Sequence, residues 1–197
     1  EEYCISNDTP KFHGNQLFQW MYNKFTFSAS DMSNIPDKLK INITNNCYFE
    51  SLKIKQKFSS KIDNTIKYLF ETIDNKLIES VSMIENNRHT ICLSSQIGCS
   101  VDCDFCATGK MGIIRNLNPG EILEQIIKIN EDRGIIFTNL VFMGMGEPFL
   151  NYNNVIKACR IINNPHGFNI SSKKITISTS GILPKIDKYI EENHKFK

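Results

Sequence analysis

The sequence predicts an α/β fold built around a parallel sheet, and three observations support this fold class. Strand-type and helix-type segments alternate after residue 90, as they do where helical crossovers join parallel strands. The run Asn118-Pro119-Gly120-Glu121 is typical of a helix start, with a capping Asn, a Pro in the first turn and a Glu that can complete a capping box. A length of 197 residues with 41% hydrophobic content is enough for one ordinary core.

The alternating region predicts three strand–helix units. Strands are expected at residues 90–95, 139–143 and 174–179, with helices starting near 118 and 152 and a last helix ending near 193. Three units are too few to close a barrel of eight, so we expect an open sheet or part of a barrel.

Two smaller segments precede this region. Apolar residues recur at helical spacing between Phe12 and Thr44, which predicts a small helical accessory domain over residues 1–46. The pattern then changes to alternation with a hairpin-type turn at Asp74-Asn75, which predicts a short antiparallel β segment over residues 47–87. The α/β region occupies residues 88–197.

The composition predicts a soluble, cytoplasmic protein. No apolar stretch is long enough to cross a membrane, and the start, Glu1-Glu2-Tyr3, lacks the regions of a signal peptide. The net charge of +2 is nearly balanced and gives only weak support for a nucleic-acid partner. A local basic strip is formed by Lys53, Lys55, Lys57, Lys61 and Lys67, and it suits either phosphate contacts or a solvated strand face.

The cysteines indicate metal or redox chemistry, because seven of them in an intracellular chain are not typical of a disulfide framework. Cys99, Cys103 and Cys106 form a C-x3-C-x2-C motif on the loop after the first strand of the α/β region. Three thiolates on one short loop can bind three irons of a [4Fe-4S] cluster and leave the fourth iron open. The open iron can bind S-adenosylmethionine, whose reductive cleavage releases a 5'-deoxyadenosyl radical.

A structural zinc site is the main alternative for this loop. Closed zinc sites use four ligands, and no fourth Cys or His follows at a matching distance. His166 and His194 lie far along the chain, and Cys92 on the preceding strand is a poor fourth ligand, so the spacing favours iron–sulfur. Phe105, between the last two cysteines, could pack near an adenine or simply fill the loop.

A second motif, Met143-Gly144-Met145-Gly146-Glu147-Pro148, lies where the second strand ends. Its glycines permit close approach of the backbone to a ligand, and the Glu147 carboxylate can accept hydrogen bonds from the ammonium of a methionine moiety. The motif matches neither a dinucleotide fingerprint nor a phosphate loop, and alone it would indicate a bare turn. Its place at the ligand-binding edge of the sheet favours a binding role. Ser178, near the end of the third strand, could bind the same cofactor or be an ordinary core polar residue.

Together these motifs resemble the RlmN-type adenine methyltransferases and their Cfr-like relatives. The resemblance rests on residues 92–106, 115–117, 141–148 and 175–181, and residues 12–21 are similar to that family's helical accessory domain. It implies a partial radical SAM (β/α) barrel, of which about three of roughly six strand–helix units are present.

The resemblance implies an enzyme that uses a [4Fe-4S] cluster and S-adenosyl-L-methionine to methylate carbon 2 of an adenosine in 23S ribosomal RNA and in transfer RNA. One cofactor molecule methylates a cysteine, and a second supplies the radical that abstracts hydrogen from that methyl group, after which the carbon radical adds to the adenine. The implied partners are ribosomal RNA, transfer RNA and an electron donor such as flavodoxin, and we expect a monomer. Cfr-like methylation of carbon 8 and a non-catalytic metal- or RNA-binding module are the alternatives.

The resemblance also assigns roles residue by residue. The cluster ligands are matched by Cys99, Cys103 and Cys106, and the cofactor-binding positions by Gly146, Glu147 and Ser178. Glu79 matches the proton acceptor for breakdown of the protein–RNA adduct, although alone it would indicate an exposed strand carboxylate. Cys92 matches a redox cysteine that pairs with the methyl-carrying cysteine in a disulfide, although alone it would indicate a buried strand thiol.

The chain departs from this family at its C-terminal end. The family's methyl-carrying cysteine lies near the end of a longer chain, and this sequence stops at Lys197 after three strand–helix units. Cys159 lies on a predicted helix and is no substitute, while Cys4 and Cys47 are isolated. We therefore expect the chain to be a fragment that does not methylate RNA by itself.

Overall fold

The computed structural model describes all 197 residues of the chain. Contacts divide the chain into two compact units, one formed by residues 1–50 and 161–169 and the other by residues 51–160 and 170–197. The domain boundaries expected after residues 46 and 87 stay predictions. None of the helices combines the length and the apolar character that crossing a membrane requires.

The first unit is helical. Helices α1, α2 and α3 span Glu2–Ser6, Phe12–Tyr22 and Asp37–Asn46. Their shared core is made by Cys4, Met32, Ile35, Leu39 and Ile43. Helices α2 and α3 lie within the region of helical periodicity, whereas α1 was not predicted because its five residues are too few to show a helical repeat.

The second unit contains eight strands. They are β1 (Leu52–Ser59), β2 (Ile66–Thr72), β3 (Leu77–Glu85), β4 (Arg88–Cys92), β5 (Gln96–Gly98), β6 (Ile113–Asn116), β7 (Asn139–Phe142) and β8 (Ile175–Ile177). Six of them form one sheet in the order β1-β2-β3-β4-β7-β8, and β5 pairs with β6 separately. The strands from β1 to β4 are antiparallel neighbours, whereas β4, β7 and β8 run parallel.

Three helices accompany the parallel strands: α4 (Pro119–Arg133), α5 (Tyr152–Asn163) and α6 (Leu183–Glu191). In chain order α4 lies between β4 and β7, and α5 lies between β7 and β8, so each parallel pair has a helical crossover. The predicted order of three strand–helix units is therefore confirmed, and the sheet is mixed because the antiparallel segment joins it at β4.

The start of α4 follows the sequence signal closely. The Asn118 side chain accepts a hydrogen bond from Glu121 N at 2.9 Å, and the Glu121 side chain accepts one from Asn118 N at 2.9 Å. This reciprocal pair is the predicted capping box, and Pro119 occupies the first turn as expected. Ile122 and Ile126 are then fully buried one turn apart, which gives the helix its packing face.

The end of the first strand and the short β5–β6 ladder are among the details of the α/β region that differ from the sequence prediction. The first strand ends at Cys92 rather than at residue 95, because the chain turns away there toward the short ladder of β5 and β6. That ladder was not predicted, since strands of three and four residues carry no alternating pattern long enough to recognise.

Arg115 on β6 joins two separate turns of this unit. Its guanidinium donates to both carboxylate oxygens of Asp74, at 3.0 and 2.8 Å, in the β2–β3 turn. It also donates to both carboxylate oxygens of Glu121, at 2.9 and 2.7 Å, at the start of α4. These hydrogen bonds hold the pKa of Asp74 well below its usual range and raise that of Arg115. The hairpin turn, β6 and the first turn of α4 are thus held by one cation.

The Asp74→Asn variant tests this connection. Asp74 is 44% exposed, so solvent screening limits the expected loss of unfolding free energy to about 1 kcal/mol or less at pH 7. Because the pKa of Asp74 is lowered in the folded state, its carboxylate stabilises the fold at pH values above the ordinary pKa of Asp. The difference in unfolding free energy between Asp74→Asn and wild type should therefore shrink as the pH falls below about 4. Urea denaturation at pH 7 and pH 3 measures it.

Asp187→Asn is the matched control, because Asp187 is exposed on α6 and forms no ion pair. Its effect should be close to zero at both pH values. A difference between Asp74→Asn and wild type that does not change with pH would contradict the ion-pair explanation.

Candidate functional site

The three motif cysteines lie in or beside one loop, whose base is closed by the β5–β6 ladder. Cys99 directly follows β5, and its backbone N donates to Gly112 O at 3.0 Å across the base of the loop. Gly98 has φ of +76°, and a Cβ there would lie 1.8 Å from Gly112 O. A glycine is therefore required at this position for the loop to close.

Within the loop, Cys106 N donates to Cys103 O at 3.0 Å, so these two cysteines share one tight turn. Cys99 is 9% exposed, whereas Cys103 and Cys106 are half-buried. No three His, Cys, Asp or Glu side chains converge as ligands of a single metal ion do. In the predicted [4Fe-4S] site each of the three thiolates would bind a different iron.

Phe105 between these cysteines is 92% exposed, so it does not fill the loop. The exposed ring contradicts simple packing within the loop, and its contact with an adenine stays a prediction.

The cysteine loop is connected to the glycine-rich loop by a seam of backbone hydrogen bonds between residues 93–96 and 141–147. Leu93 N donates to Val141 O at 2.8 Å, and Gly144 N donates back to Leu93 O at 3.0 Å. Ser95 N donates to Met145 O at 2.8 Å. The carboxyl ends of β4 and β7 are therefore joined directly, which places both predicted motifs at one edge of the sheet.

Gln96 completes this seam with its side chain. Its Oε1 accepts from Glu147 N at 2.8 Å, and its Nε2 donates to Asn116 Oδ1 at 2.7 Å. Gly146 has φ of +94°, and a Cβ there would lie 2.4 Å from the Gln96 Cβ. Glycine at 146 is therefore required by the close approach of Gln96, whereas the approach of this backbone to a ligand stays a prediction.

The Glu147 carboxylate is buried, with 4% exposure, and it is fully hydrogen-bonded by the protein. Oε1 accepts from Thr179 Oγ1 at 2.7 Å and from Phe149 N at 2.9 Å. Oε2 accepts from Ser180 N at 2.7 Å and from Ser180 Oγ at 2.8 Å. A carboxylate has about four lone-pair positions, so these four bonds use its whole capacity.

Ser178 lies immediately after β8 rather than within the strand, and it is exposed. It directly precedes the two residues that bind Glu147, so the structure brings the Gly146-Glu147 and Ser178 positions into one neighbourhood. An exposed serine at a strand end can reach a ligand, whereas the alternative of a buried core polar group does not apply to it.

Glu79 and Cys92 lie on the neighbouring antiparallel strands β3 and β4. Glu79 is half-exposed, and its Oε1 accepts from Lys67 Nζ at 2.9 Å. Its backbone carbonyl accepts from Ser94 Oγ at 2.5 Å, and the same hydroxyl accepts from Met145 N at 2.8 Å. Glu79 is therefore tied through Ser94 to the glycine-rich loop.

Cys92 is buried at the end of β4, opposite Val141 on β7. Burial raises the pKa of its thiol. All seven cysteines are free thiols, so Cys92 has no disulfide partner among them. The structure does not bring Cys92 or Glu79 into contact with the three motif cysteines.

Sequence reasoning did not assign several residues that build this site. Ser94, Gln96 and Gln125 are buried polar residues, and Gln125 on α4 accepts from Ser94 N at 2.9 Å and from Ser80 Oγ at 2.5 Å. The signal that could have found two of them is the run Ser94-Ser95-Gln96 directly after an apolar strand, where polar residues need local partners.

Comparisons with known proteins agree with this arrangement. Residues 93–196 match the family model of the radical SAM superfamily, and residues 1–49 match the ribosomal RNA large subunit methyltransferase N-terminal domain. The chain therefore belongs to the radical SAM superfamily, whose members imply S-adenosylmethionine and a [4Fe-4S] cluster. Within that superfamily it is similar to RlmN-type enzymes, in agreement with the resemblance of the sequence.

Curated relatives support this type. A protein of Dictyoglomus thermophilum named "Probable dual-specificity RNA methyltransferase RlmN" is 45% identical over 95% of this chain and 54% of its own length. A protein of the same name from Clostridioides difficile is 44% identical over 94% of this chain and 54% of its own length. The chain thus spans about half the length of the curated relatives it matches.

A solved structure supports the fold. A radical SAM methyltransferase from Sphaerobacter thermophilus superposes with a TM-score of 0.90 and 36% identity, covering 100% of this chain and 58% of that one. The predicted α/β class and the partial barrel are therefore confirmed.

The Glu147→Gln variant tests whether the carboxylate stabilises the fold without any cofactor. The NH₂ group of the new amide would face at least one of the protein donors that the wild-type carboxylate accepts from. We therefore expect a loss of about 2 kcal/mol in unfolding free energy. Urea denaturation of the cofactor-free protein measures it.

Glu191→Gln on the exposed side of α6 is the control and should change the unfolding free energy by less than about 0.5 kcal/mol. If cofactor-free Glu147→Gln were as stable as wild type and only its cofactor binding were impaired, these four hydrogen bonds would have no structural function.

Proposed function

We propose that this chain forms the cluster-binding half of a radical SAM methyltransferase that methylates carbon 2 of an adenosine in 23S ribosomal RNA and in transfer RNA. The observation that carries the proposal is the seam between residues 93–96 and 141–147, which joins the three-cysteine loop to the glycine-rich loop at one edge of the sheet. The matched N-terminal domain and the names of the relatives favour RNA as the substrate class.

In this proposal Cys99, Cys103 and Cys106 hold the cluster, and the β5–β6 ladder fixes the loop that carries them. When bound, the cluster supplies the electron that cleaves S-adenosylmethionine reductively. The exposed Phe105 ring and Ser178 hydroxyl lie on the loops of the same edge and are available to contact the cofactor.

Glu147 has a more restricted role than its motif alone indicates. A methionine ammonium that binds its carboxylate has to replace one of the present donors, because all its lone-pair positions are used. The Ser180 hydroxyl can rotate away while Ser180 N keeps its bond, so this hydroxyl is the donor we expect the ammonium to replace.

Glu79 is proposed as the proton acceptor in breakdown of the RNA adduct, with Cys92 as the redox cysteine. The Lys67 ammonium, 2.9 Å from Oε1 of Glu79, fixes the carboxylate on the strand surface. The hydrogen bond from Ser94 Oγ to the backbone carbonyl of Glu79 fixes the position of this residue relative to the glycine-rich loop. The carboxylate is 42% exposed, so an RNA base can reach it.

RNA analysis tests the reaction. Deleting the gene should remove 2-methyladenosine from ribosomal and transfer RNA, and the full-length gene product should restore it. Mass spectrometry of digested RNA measures the modified base. Loss of 8-methyladenosine instead would assign the carbon 8 reaction, and an unchanged digest would contradict a methyltransferase of either kind.

The cysteine assignment is tested by separate Cys99→Ala, Cys103→Ala and Cys106→Ala variants of the full-length gene product. After anaerobic reconstitution, each should lose most of its iron and all dithionite-dependent cleavage of S-adenosylmethionine, since three ligands hold the cluster. Cys47→Ala, which alters a cysteine outside the loop, should retain both. Full iron content with no cofactor cleavage in the wild type would favour a non-catalytic metal-binding module.

The Glu79→Gln variant should bind RNA and cleave S-adenosylmethionine normally but should accumulate a covalent protein–RNA adduct, because the amide cannot accept the proton. Denaturing gel electrophoresis with labelled RNA detects the adduct. Glu85→Gln at the far end of β3 is the control and should turn over normally. Normal turnover by Glu79→Gln would remove this residue from the mechanism.

A further inference from the structure

A polar groove of about 420 Å³ lies between α5 and α6 in the second unit, and neither the cluster loop nor the glycine-rich loop contributes to it. Tyr152 and Ile156, both buried, form its apolar part. Lys157 and Arg160 line it from α5, and Glu192 lines it at the end of α6. The groove is large enough for a sugar–phosphate unit with its counter-charges.

The residues that line the groove carry a net positive charge. Lys157 and Arg160 are exposed and form no ion pair, and α5 contains no acidic residue that could neutralise them. From α6, Lys188 Nζ lies 4.8 Å from the centroid of the Tyr152 ring and Lys185 Nζ lies 5.8 Å from it. Two unpaired cations thus line the groove, and two lysines of α6 lie near its tyrosine.

Glu192 is the acidic residue that lines this groove, and it is already occupied. Its Oε2 accepts from Tyr152 Oη at 2.9 Å and lies 2.6 Å from His194 Nε2, while Oε1 lies 3.6 Å from Lys188 Nζ. The bonds from His194 and Tyr152 lower the pKa of Glu192, so it stays ionised and counts as one negative charge. Asp187 lies two residues after Lys185 and faces away from it, whereas Glu191 lies three residues after Lys188 and is its neighbour on the helix surface.

The groove starts at the same edge of the sheet as the proposed active site. Helix α5 begins after the glycine-rich loop that leaves β7, and α6 begins after the loop that leaves β8. Arg160 lies eight residues after Tyr152, which corresponds to about 12 Å along the helix. Lys157 and Arg160 therefore lie about 7 Å and about 12 Å along α5 from Tyr152, and the roughly 4.5 Å between them suits contact with neighbouring phosphates.

We propose that this groove binds the phosphodiester backbone of the RNA substrate, next to the nucleotide that enters the site at the sheet edge. The inference rests on the proposed function, because RNA is the substrate assigned there. Unpaired lysine and arginine side chains in a groove with a single acidic residue are complementary to a polyanion, and they contribute affinity without reading the base sequence.

The test uses the full-length gene product with Lys157→Gln and Arg160→Gln combined. At about 100 mM salt the affinity for transfer RNA and for a ribosomal RNA fragment should fall by about tenfold, measured by filter binding. The slope of log affinity against log salt should become shallower by about 0.7 to 0.9 for each phosphate that the variant no longer neutralises. Arg160→Lys, which keeps the charge, should retain most of the affinity.

The matched control combines Lys173→Gln and Lys174→Gln, which remove two exposed charges before β8, at the opposite end of that strand. Its affinity and salt slope should equal those of wild type. An unchanged affinity of the Lys157/Arg160 variant, or an equal loss in the control, would overturn the proposal. So would charge-dependent binding of phosphatidylglycerol vesicles in place of RNA.

The outcomes separate this inference from the proposed function. If the wild type forms 2-methyladenosine and the Lys157/Arg160 variant keeps its RNA affinity, the proposed function stands and only RNA binding in the groove is rejected. Conversely, RNA binding that depends on Lys157 and Arg160 in a protein that forms no methyladenosine would reject the reaction and keep the groove.

Discussion

The buried carboxylate of Glu147 is the interaction on which the proposed site depends. It bonds Thr179 and Ser180 after β8, and its backbone N bonds Gln96 at the start of the cysteine loop. Burying a carboxylate is costly unless its hydrogen bonds are all made, and here four donors compensate for the loss of water. Glu147 therefore connects the ends of the three parallel strands β4, β7 and β8, through its backbone N on one side and its carboxylate on the other.

The cysteine loop takes its position from this connection and from Arg115. The β5–β6 ladder is short, so it needs support at both ends. Gln96 attaches β5 to the glycine-rich loop, and Arg115 attaches β6 to Asp74 and Glu121. The loop between these strands is thereby anchored at its base, while Cys103 and Cys106 stay accessible to a ligand.

Sequence patterns predicted the parts of this molecule whose causes are local. The capping box at Asn118 and the order of the strand–helix units depend on neighbouring residues, and both were found as predicted. The partners of Glu147 were not predictable, because Thr179 and Ser180 lie more than thirty residues away and meet it only when β7 and β8 pair. The β5–β6 ladder was missed because its pairing, rather than its side-chain pattern, defines it.

Charge distribution shows the same limit of local patterns. The lysine strip of β1 and β2 has the sequence signature of a phosphate-binding surface, yet Lys55, Lys57 and Lys67 lie 2.7, 2.7 and 2.9 Å from Glu71, Asp132 and Glu79. Carboxylates from a neighbouring strand or helix thus offset much of its charge. Lys157 and Arg160 form no obvious run in the sequence, but α5 offers them no carboxylate. Helix α6 adds Lys185 beside the same groove, while Lys188 is paired with Glu192 at 3.6 Å. A polyanion is attracted by positive charges that nearby carboxylates do not neutralise. The α5–α6 groove is therefore a better candidate for RNA contact than the more lysine-rich strands.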